Sequence, residues 1–483
     1  MPDLSILIYI FAVCSIILFS NPHNMSKYLR IFVLFAILGL TVSSCKKDIN
    51  ETTSEFRTAD DFDHKIILEW NDLFLDIERY AEGYRPCPTA RALGYIGLAS
   101  YEACADGFTG YRSIKNNFGG LNIPATFKDQ EYHWPSVVNA SNAFLYKRFF
   151  PFVRQDLNAR IDALYKKHEA DFRAEVGADI YERSRNYGEA VAAAVWEWSR
   201  TDAVTHDYYI DNTRDYDWTT RYNKEGDWKP TIFKSKNGLF PEFGKGRTFA
   251  IKDDLKICRP PLSHSDDKSS QLYSQALEVY AQNTPSMSFQ AEWVAEFWSD
   301  DLLELTFSPP SRWLAIANQV YISEKSTLQL ALVANAKIGL ALNDAAVGCW
   351  NSKYHYNVER PETYIRRVID PTWQTNLENP LTGEKSLTPD FPAYPSGHAT
   401  FGAAAAEALA SVYGYSYSMV DRCHENRVEF VGTPRPFSSF EEMALENGWS
   451  RVPLGVHFRM DSEEGVRYGK EIGRRVNNLP WRR

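Results

Sequence analysis

The segment FPAYPSGHATFGAAAAEALASVY, residues 391–413, decides the fold of this 483-residue chain and points to its chemistry. Pro395-Ser396-Gly397-His398 opens it, and a run of small residues from Ala399 to Tyr413 predicts a helix. Free N–H groups at a helix start favour an anion, Gly397 permits close backbone approach, and His398 can exchange protons near neutral pH. The segment predicts an anion site at a helix start, although alone it also fits an ordinary helix-start turn.

A second motif, Lys353 followed by Arg360-Pro361, lies before this segment. On a helix, a spacing of seven places Lys353 and Arg360 on one face, two turns apart, and Pro361 is expected to end or bend that element. Arginine offers a planar fork for an oxyanion and lysine a point charge. By itself the motif also fits a solvated charged face.

A third motif, Ser450-Arg451 with His457 and Asp461, lies after the segment. His457 and Asp461 are four residues apart and share a face if the chain is helical. Asp461 could then orient His457 and leave its other ring nitrogen free to attack or to ligate. By itself this motif also fits a His–Asp pair on the surface.

Together the three motifs supply three cations, a hydroxyl, flexible backbone and two imidazoles, a set that suits an oxyanion such as phosphate or vanadate. Their fixed order and spacings make coincidence a poor explanation. The pattern resembles the superfamily of vanadium-dependent haloperoxidases and type 2 phosphatidic-acid phosphatases. The resemblance is strong over about residues 340–470 and diffuse upstream, where it extends to Trp350 and to the segments 88–91, 228–231 and 391–394.

The resemblance implies a role for each matching residue. Lys353, Arg360 and Arg451 would neutralise the equatorial oxygens of vanadate, and Ser396 and the Gly397 amide would donate hydrogen bonds to them. His457 would bind vanadium directly and His398 would act as acid–base on the apical oxygen, so the expected catalytic residues are His398, His457 and Asp461.

Three further expectations come from the same resemblance. In the family an Asp pairs with the second Arg, and Asp301, or else Asp300, is the candidate here. Trp350 and Phe391 stand where the chloroperoxidase type has its halide-side aromatic residues. Many bromoperoxidases have a His at the Phe391 position, so Phe391 favours a chloroperoxidase-like halide preference.

Three functions fit the motifs. The first is a vanadate-dependent haloperoxidase that oxidises halide with hydrogen peroxide to hypohalous acid, with vanadate as cofactor. The second is a phosphomonoesterase acting through a phospho-histidine at His457, with no such cofactor. The third is a non-enzymatic binding protein with a degenerate pocket, against which the intact motifs argue. The long upstream region and the absence of an evident spanning helix in the catalytic region favour the first.

The helical periodicity predicts an all-α protein of two helical bundles. The N-terminal helical region would cover residues 61–286, with long aromatic-rich loops at 203–265 that roof the site. The C-terminal catalytic bundle would cover residues 287–483.

The N-terminus predicts export. A basic segment from Met25, an apolar run and the sequence Val42-Ser43-Ser44-Cys45 resemble a bacterial lipoprotein signal. Residues 1–44 would be the signal peptide, with Met25 as a possible true start, and 45–60 a tether lipidated at Cys45. The protein would face the periplasm or the cell surface. An N-terminal membrane anchor is the alternative.

The net charge of −9 argues against nucleic acid as a partner. The resemblance implies small-molecule partners, namely hydrogen peroxide and halide, with an organic acceptor as a further possibility, and contact with a membrane is expected only through the lipid. Five cysteines follow Cys45 with no zinc-type spacing. Buried free thiols are expected, with a Cys87–Cys104 disulfide as the alternative.

Overall fold

A computed structural model describes residues 56–231, 237–282 and 287–483. The predicted signal peptide, Cys45 and most of the predicted tether lie outside these residues, as do residues 283–286 at the predicted domain boundary, so these remain predictions. Phe56–Arg483 forms one compact unit. The end of the predicted tether belongs to this unit, because Ala59 is buried and Asp60 accepts hydrogen bonds from Thr327 and Gln329.

The predicted all-α class is confirmed, since the described residues contain thirteen α-helices and a single two-stranded antiparallel ribbon. The first half of the helices are α1 (Lys65–Arg79), α2 (Cys87–Cys104), α3 (Trp134–Phe149), α4 (Gln155–Val176), α5 (Ala178–Arg200), α6 (Gln271–Ala281) and α7 (Phe289–Phe297). The others are α8 (Pro309–Glu324), α9 (Leu328–Tyr356), α10 (Pro361–Val368), α11 (Gly397–Tyr413), α12 (Phe440–Trp449) and α13 (Arg459–Asn477). The ribbon pairs β1 (Met419–Asp421) with β2 (Arg435–Phe437).

Helix α9 is the central element of the fold. It packs against α2 on one side and against α11 and α13 on the other. Among the described residues it is the one helix long and apolar enough to cross a membrane, and 89% of its apolar window is buried inside the protein. A helix that is apolar on all sides and enclosed by other helices is typical of a protein core.

The segment between α5 and α6 is a long loop, as the sequence predicts. Its described parts contain short 3₁₀ turns and no α-helix. The buried carboxylate of Asp344 on α9 accepts hydrogen bonds from three successive backbone amides, those of Phe249, Ala250 and Ile251. This contact fixes the loop to the core, because the amides and the carboxylate would each be costly to bury without a partner.

Small residues let α11 and α13 pack closely. A Cβ added to Gly469 on α13 would lie 2.2 Å from the carbonyl oxygen of Thr400 on α11. A backbone hydrogen bond also joins the starts of these helices, since the Ser396 amide donates to the Asp461 carbonyl at 2.9 Å. The serine motif and the histidine motif therefore meet through backbone contacts.

Cys87 and Cys104, together with the other described cysteines Cys258, Cys349 and Cys423, are free thiols, as expected. The alternative disulfide between Cys87 and Cys104 is wrong. These two residues are the first and last of α2, which places them about 25 Å apart at 1.5 Å per residue.

Replacement of Gly469 by Ala should destabilise the protein by about 1–3 kcal/mol, because an added methyl group has no space against the α11 backbone. Urea unfolding would measure the loss. Gly119→Ala is the matched control, since a Cβ there meets no atom within 4 Å. Equal stability of the two variants would contradict close packing of α11 on α13.

Candidate active site

Lys353 and Arg360 are brought together by a turn and do not share a helix. Lys353 lies in the last turn of α9, which ends at Asn357 in the left-handed conformation (φ 51°). Arg360 is the residue before α10, and Pro361 begins that helix. The expectation of one continuous helical face is therefore wrong. Proline instead occupies a first-turn position, where its missing N–H costs nothing.

Both side chains are fully buried against the segment that precedes the serine motif. Lys353 Nζ donates to the carbonyl oxygens of Pro392 and Ala393 at 2.8 and 2.9 Å. Arg360 donates to the carbonyl oxygens of Phe391 and Val456, both at 2.9 Å. Backbone dipoles thus stabilise two cations that burial alone would disfavour. Burial still lowers the pKa of Lys353 and brings that of Arg360 to about 10.

His457 lies just before α13, and Asp461 is in the first turn of that helix. His457 Nδ1 is 2.9 Å from Asp461 Oδ2, which also accepts the Phe458 amide. The other ring nitrogen, Nε2, is 3.1 Å from Arg360 Nη1. Burial lowers the pKa of His457, and the charge of Arg360 lowers it further. The neutral ring therefore donates from Nδ1 to Asp461, which orients it as predicted, while its Nε2 lone pair accepts a hydrogen bond from Arg360 and is not left free.

Arg451 and Asp301 form the ion pair expected from the sequence. Both oxygens of Asp301 contact Arg451 Nη2, at 2.8 and 2.9 Å. Burial works to raise the pKa of Asp301, but Arg451 and the other nearby positive groups hold it below its ordinary value. The alternative candidate, Asp300, lies 3.5 Å from Arg312 and 3.3 Å from His424. It is thus part of a different buried cluster.

His398 is the second residue of α11, and its Nε2 is 3.9 Å from Asp301 Oδ1. Burial lowers the pKa of His398 to about 3, and the charge of Arg451 contributes. His398 Nε2, Arg451 Nε and Arg451 Nη1 are buried and have no hydrogen-bond partner among the described residues. Buried polar atoms without partners are rare in native proteins and often mark the place of a ligand or a water.

Ser396 is the N-cap of α11, and its hydroxyl accepts the Ala399 amide at 3.4 Å. Gly397 follows at the first helical position, and a Cβ there would lie 3.4 Å from the Trp350 ring. The start of α11 therefore faces an aromatic wall across a narrow gap. Helix N-terminal amides carry a partial positive charge that favours an anion.

A cavity of about 230 Å³ opens beside these residues. Its polar wall includes Gly397, His398, Arg451 and His457. The predicted halide-side residues Trp350 and Phe391 both line it, with ring centroids 5.0 Å apart. Other apolar walls come from Leu239, Leu302, Pro309, Leu377, Leu387 and Phe401. Leu239 is the lining residue from the long loop between α5 and α6, which was expected to roof the site.

The donor set fits an oxyanion. Three buried cations and two neutral imidazoles face two carboxylates, Asp301 and Asp461, so the site has an excess of positive charge. Among the described residues no group of three or more His, Cys, Asp or Glu side chains could hold a bare metal ion. Vanadate fits, because His457 Nε2 offers a single ligand while Arg451 and His398 offer hydrogen bonds to oxygens.

Comparison with known proteins connects this site to one superfamily. Residues 334–480, which contain all three motifs, match the family described as the VCPO second helical-bundle domain. The vanadium chloroperoxidase of Curvularia inaequalis is 26% identical over 279 residues, which is 46% of this chain and 46% of that protein. The match therefore spans about half the length of that relative.

Solved structures extend the likeness over nearly the whole described chain. A bacterial vanadium-dependent iodoperoxidase is 26% identical, with a TM-score of 0.75 over 86% of this chain and 97% of its own. The chain belongs to the superfamily of vanadium haloperoxidases and type 2 phosphatidic-acid phosphatases. In fold and in motif residues it is an enzyme of the vanadium haloperoxidase type. A bacterial vanadium-dependent chloroperoxidase, 12% identical with a TM-score of 0.59 over 82% of this chain and 92% of its own, shares the fold.

The haloperoxidase-type cavity also contains residues that the sequence did not single out. Arg85, Pro86, Thr388, Pro389 and Asp390 line it. Arg85-Pro86 is separated only by Cys87 from the 88–91 segment that carries part of the resemblance, and that proximity was the available signal. The other three, Thr388, Pro389 and Asp390, lie in the loop between α10 and α11, and only the folded structure places this loop at the site.

Oxyanion binding should take up protons at pH 7.5. Ligand-free His398 is neutral there because its pKa is about 3, and a nearby negative charge raises that pKa. Calorimetry of vanadate binding in buffers of different ionisation enthalpy would count the protons, with less uptake in His398→Gln. Equal uptake in both proteins would contradict this role for His398.

The same shift makes a prediction for the ligand-free protein. The pKa of His398 in the folded protein lies below its ordinary value of 6.5. Protonation therefore favours the unfolded chain, so the free energy of unfolding is highest above about pH 6.5 and decreases as the pH falls towards 3. Denaturant unfolding between pH 7 and 4 should show a smaller decline in His398→Gln. A steeper decline in that variant would count against a buried neutral His398.

Asp461→Ala should weaken vanadate binding about 10- to 100-fold, because loss of an orienting partner reduces the affinity of a metal-binding histidine. Asp461→Asn should lose less vanadate affinity, since the amide oxygen of Asn can replace Oδ2 as the acceptor for His457 and for the Phe458 amide. Titration calorimetry at one pH would measure both. Exposed Glu463→Gln on the same helix is the control, and wild-type affinity in the Ala variant would exclude the orienting role.

Proposed function

We propose that this protein is a vanadate-dependent haloperoxidase that oxidises halide with hydrogen peroxide to hypohalous acid. The observation that carries the proposal is the set of buried, unpartnered nitrogens of His398 and Arg451, which line one cavity together with His457. The similarity to a bacterial iodoperoxidase over 97% of that chain supports it.

The protein would hold vanadate through residues from all three motifs. His457 Nε2 would be the ligand to vanadium, and Arg451 would donate from Nε and Nη1 to the oxygens. Lys353, Arg360 and the start of α11 would supply positive potential, which acts strongly in a buried site because little solvent screens it. When bound, vanadate supplies a Lewis acid that activates peroxide towards attack by halide.

His398 would move the proton in this reaction. A bound oxyanion would raise the low pKa of His398 towards neutrality, so its Nε2 could take a proton from hydrogen peroxide as the peroxide binds and return that proton later. Asp301 holds Arg451 at the same position and lies 3.9 Å from His398. The protonated ring would be stabilised by that carboxylate.

The apolar part of the cavity would admit halide and limit water. Trp350 and Phe391 form one wall, and the edge of an aromatic ring carries partial positive charge that suits an anion. Lys353 Nζ and Arg360 Cζ each lie 5.0 Å from the centre of the Phe391 ring. Of the halides, iodide is the easiest to oxidise and is expected to give the highest rate, with Phe391 favouring additional activity towards chloride.

A phosphomonoesterase is the second candidate, because the same lone pair on His457 Nε2 could attack phosphorus. The two activities respond in opposite ways to vanadate, which is a cofactor for one and an inhibitor of the other.

Purified protein should oxidise iodide, bromide or chloride with peroxide only when vanadate is present. His398→Ala should lower kcat by about 10²- to 10⁴-fold, the usual contribution of a general acid–base, and His457→Ala should also lose vanadate binding. Exposed His355→Ala is the control. Phosphate-ester hydrolysis that vanadate inhibits, without oxidation of any halide, would replace the proposal with the phosphatase.

We further propose that the protein is exported and anchored by a lipid at Cys45. The lipoprotein-type sequence at 42–45 supports this.

A further inference from the structure

Arg85 lies on the cavity wall, outside the three motifs. The same cavity is lined by Pro86, Leu302 and Pro309, and by the aromatic residues Trp350 and Phe391. The Arg85 side chain is nine-tenths buried. A buried guanidinium needs partners for its five N–H groups, or it costs free energy.

Only two of the three guanidinium nitrogens of Arg85 have hydrogen-bond partners among the described residues. Nε is 3.1 Å from Glu78 Oε1, and Nη2 donates to the Thr306 carbonyl at 2.6 Å. Nη1 is buried and has no hydrogen-bond partner within the part of the chain that the structure describes. Arg85 therefore keeps a free charged donor while its other two nitrogens fix the plane of the group.

The surroundings of Arg85 hold it in place independently of any ligand. Glu78 is fully buried, and it also accepts hydrogen bonds from Thr89 Oγ1 and from the Ser308 amide. The Glu78 carboxylate thus accepts hydrogen bonds from three groups, Arg85 Nε, Thr89 Oγ1 and the Ser308 amide. A guanidinium held in this way loses little conformational entropy when a ligand binds, which favours affinity.

We infer that Arg85 is a second anion-binding residue of the cavity and that its free Nη1 donor binds the halide substrate. This inference rests on the proposed function for the identity of its ligand. Halide enters as a monoanion with no donors of its own, so a single charged N–H beside apolar walls matches it better than the multi-donor site at Arg451.

The charges around Arg85 explain why Arg85 would bind a monoanion weakly, whereas the oxyanion would bind at the site formed by the three motifs. Glu78 neutralises Arg85, so the pair carries no net charge. Two other carboxylates, both of which line the cavity, lie beside their own cations, since Asp301 pairs with Arg451 and Asp300 lies 3.5 Å from Arg312. Halide would therefore bind by one charge-assisted hydrogen bond, as a substrate that must leave and return requires.

Two substitutions should shift halide affinity in opposite directions. Arg85→Gln should raise the KM for halide about ten-fold, equivalent to about 1.4 kcal/mol, while the KM for peroxide and the Kd for vanadate stay within about two-fold. Glu78→Gln keeps Arg85 but removes the neutralising charge, so it should lower the KM for halide. General structural damage would worsen halide use in both variants.

Arg79→Gln is the matched control. Arg79 donates to the Glu304 carbonyl, two residues from the Thr306 carbonyl that Arg85 contacts, and it does not line the cavity. Arg85→Lys keeps a charge near Glu78 without the fork and should give an intermediate KM. An unchanged halide KM in folded, vanadate-loaded Arg85→Gln would overturn the inference, as would a rise in both Arg85→Gln and Glu78→Gln.

Bromide binding without turnover separates this inference from the proposed function. Line broadening of the bromide NMR signal by vanadate-loaded wild type should exceed that by Arg85→Gln and match that by Arg79→Gln. Wild type that oxidises no halide would sink the proposed function, and the bromide titration would still decide the role of Arg85. Equal broadening by wild type and Arg85→Gln would refute that role.

Discussion

The burial of three cations at one point is the constraint on which the rest of the structure depends. Lys353, Arg360 and Arg451 are fully buried, and a buried charge is stable only when fixed partners surround it. The partners here are backbone carbonyls of the 389–393 segment, the carbonyl of Val456 and the carboxylate of Asp301. The long irregular segments before α11 and α13 supply those carbonyls, which explains why an all-helical protein keeps non-helical backbone at its centre.

The same constraint accounts for the neutral histidines. A site that already contains three positive charges disfavours a fourth, so burial and the neighbouring cations lower the pKa values of His398 and His457. The protein therefore keeps one imidazole as a ligand and the other as a proton acceptor. The excess positive charge is then available to an anionic ligand, and binding relieves part of the cost of assembling the site.

Much of this could be predicted from the sequence because it depends on local patterns. Helical periodicity predicts the all-α class, and the three motifs predict the contacts of Asp461 with His457 and of Asp301 with Arg451. Spacing alone was misleading at Lys353 and Arg360, since Asn357 turns the chain and Pro361 begins a helix. For Arg85 the sequence offered only its proximity to the 88–91 segment, because its position depends on contacts with Glu78 and with Thr306, the latter more than 200 residues away.

The position of Asp60 has a consequence for the distance between the start of the described chain and the anion site. Asp60 is held by Thr327 and Gln329 at the beginning of α9, whereas Lys353 lies in the last turn of that helix. The 26 residues from Leu328 to Lys353 span about 37 Å at 1.5 Å per residue. The described chain therefore enters the fold at one end of α9, whereas the anion-binding cavity, which Trp350 of α9 lines, lies near the other end.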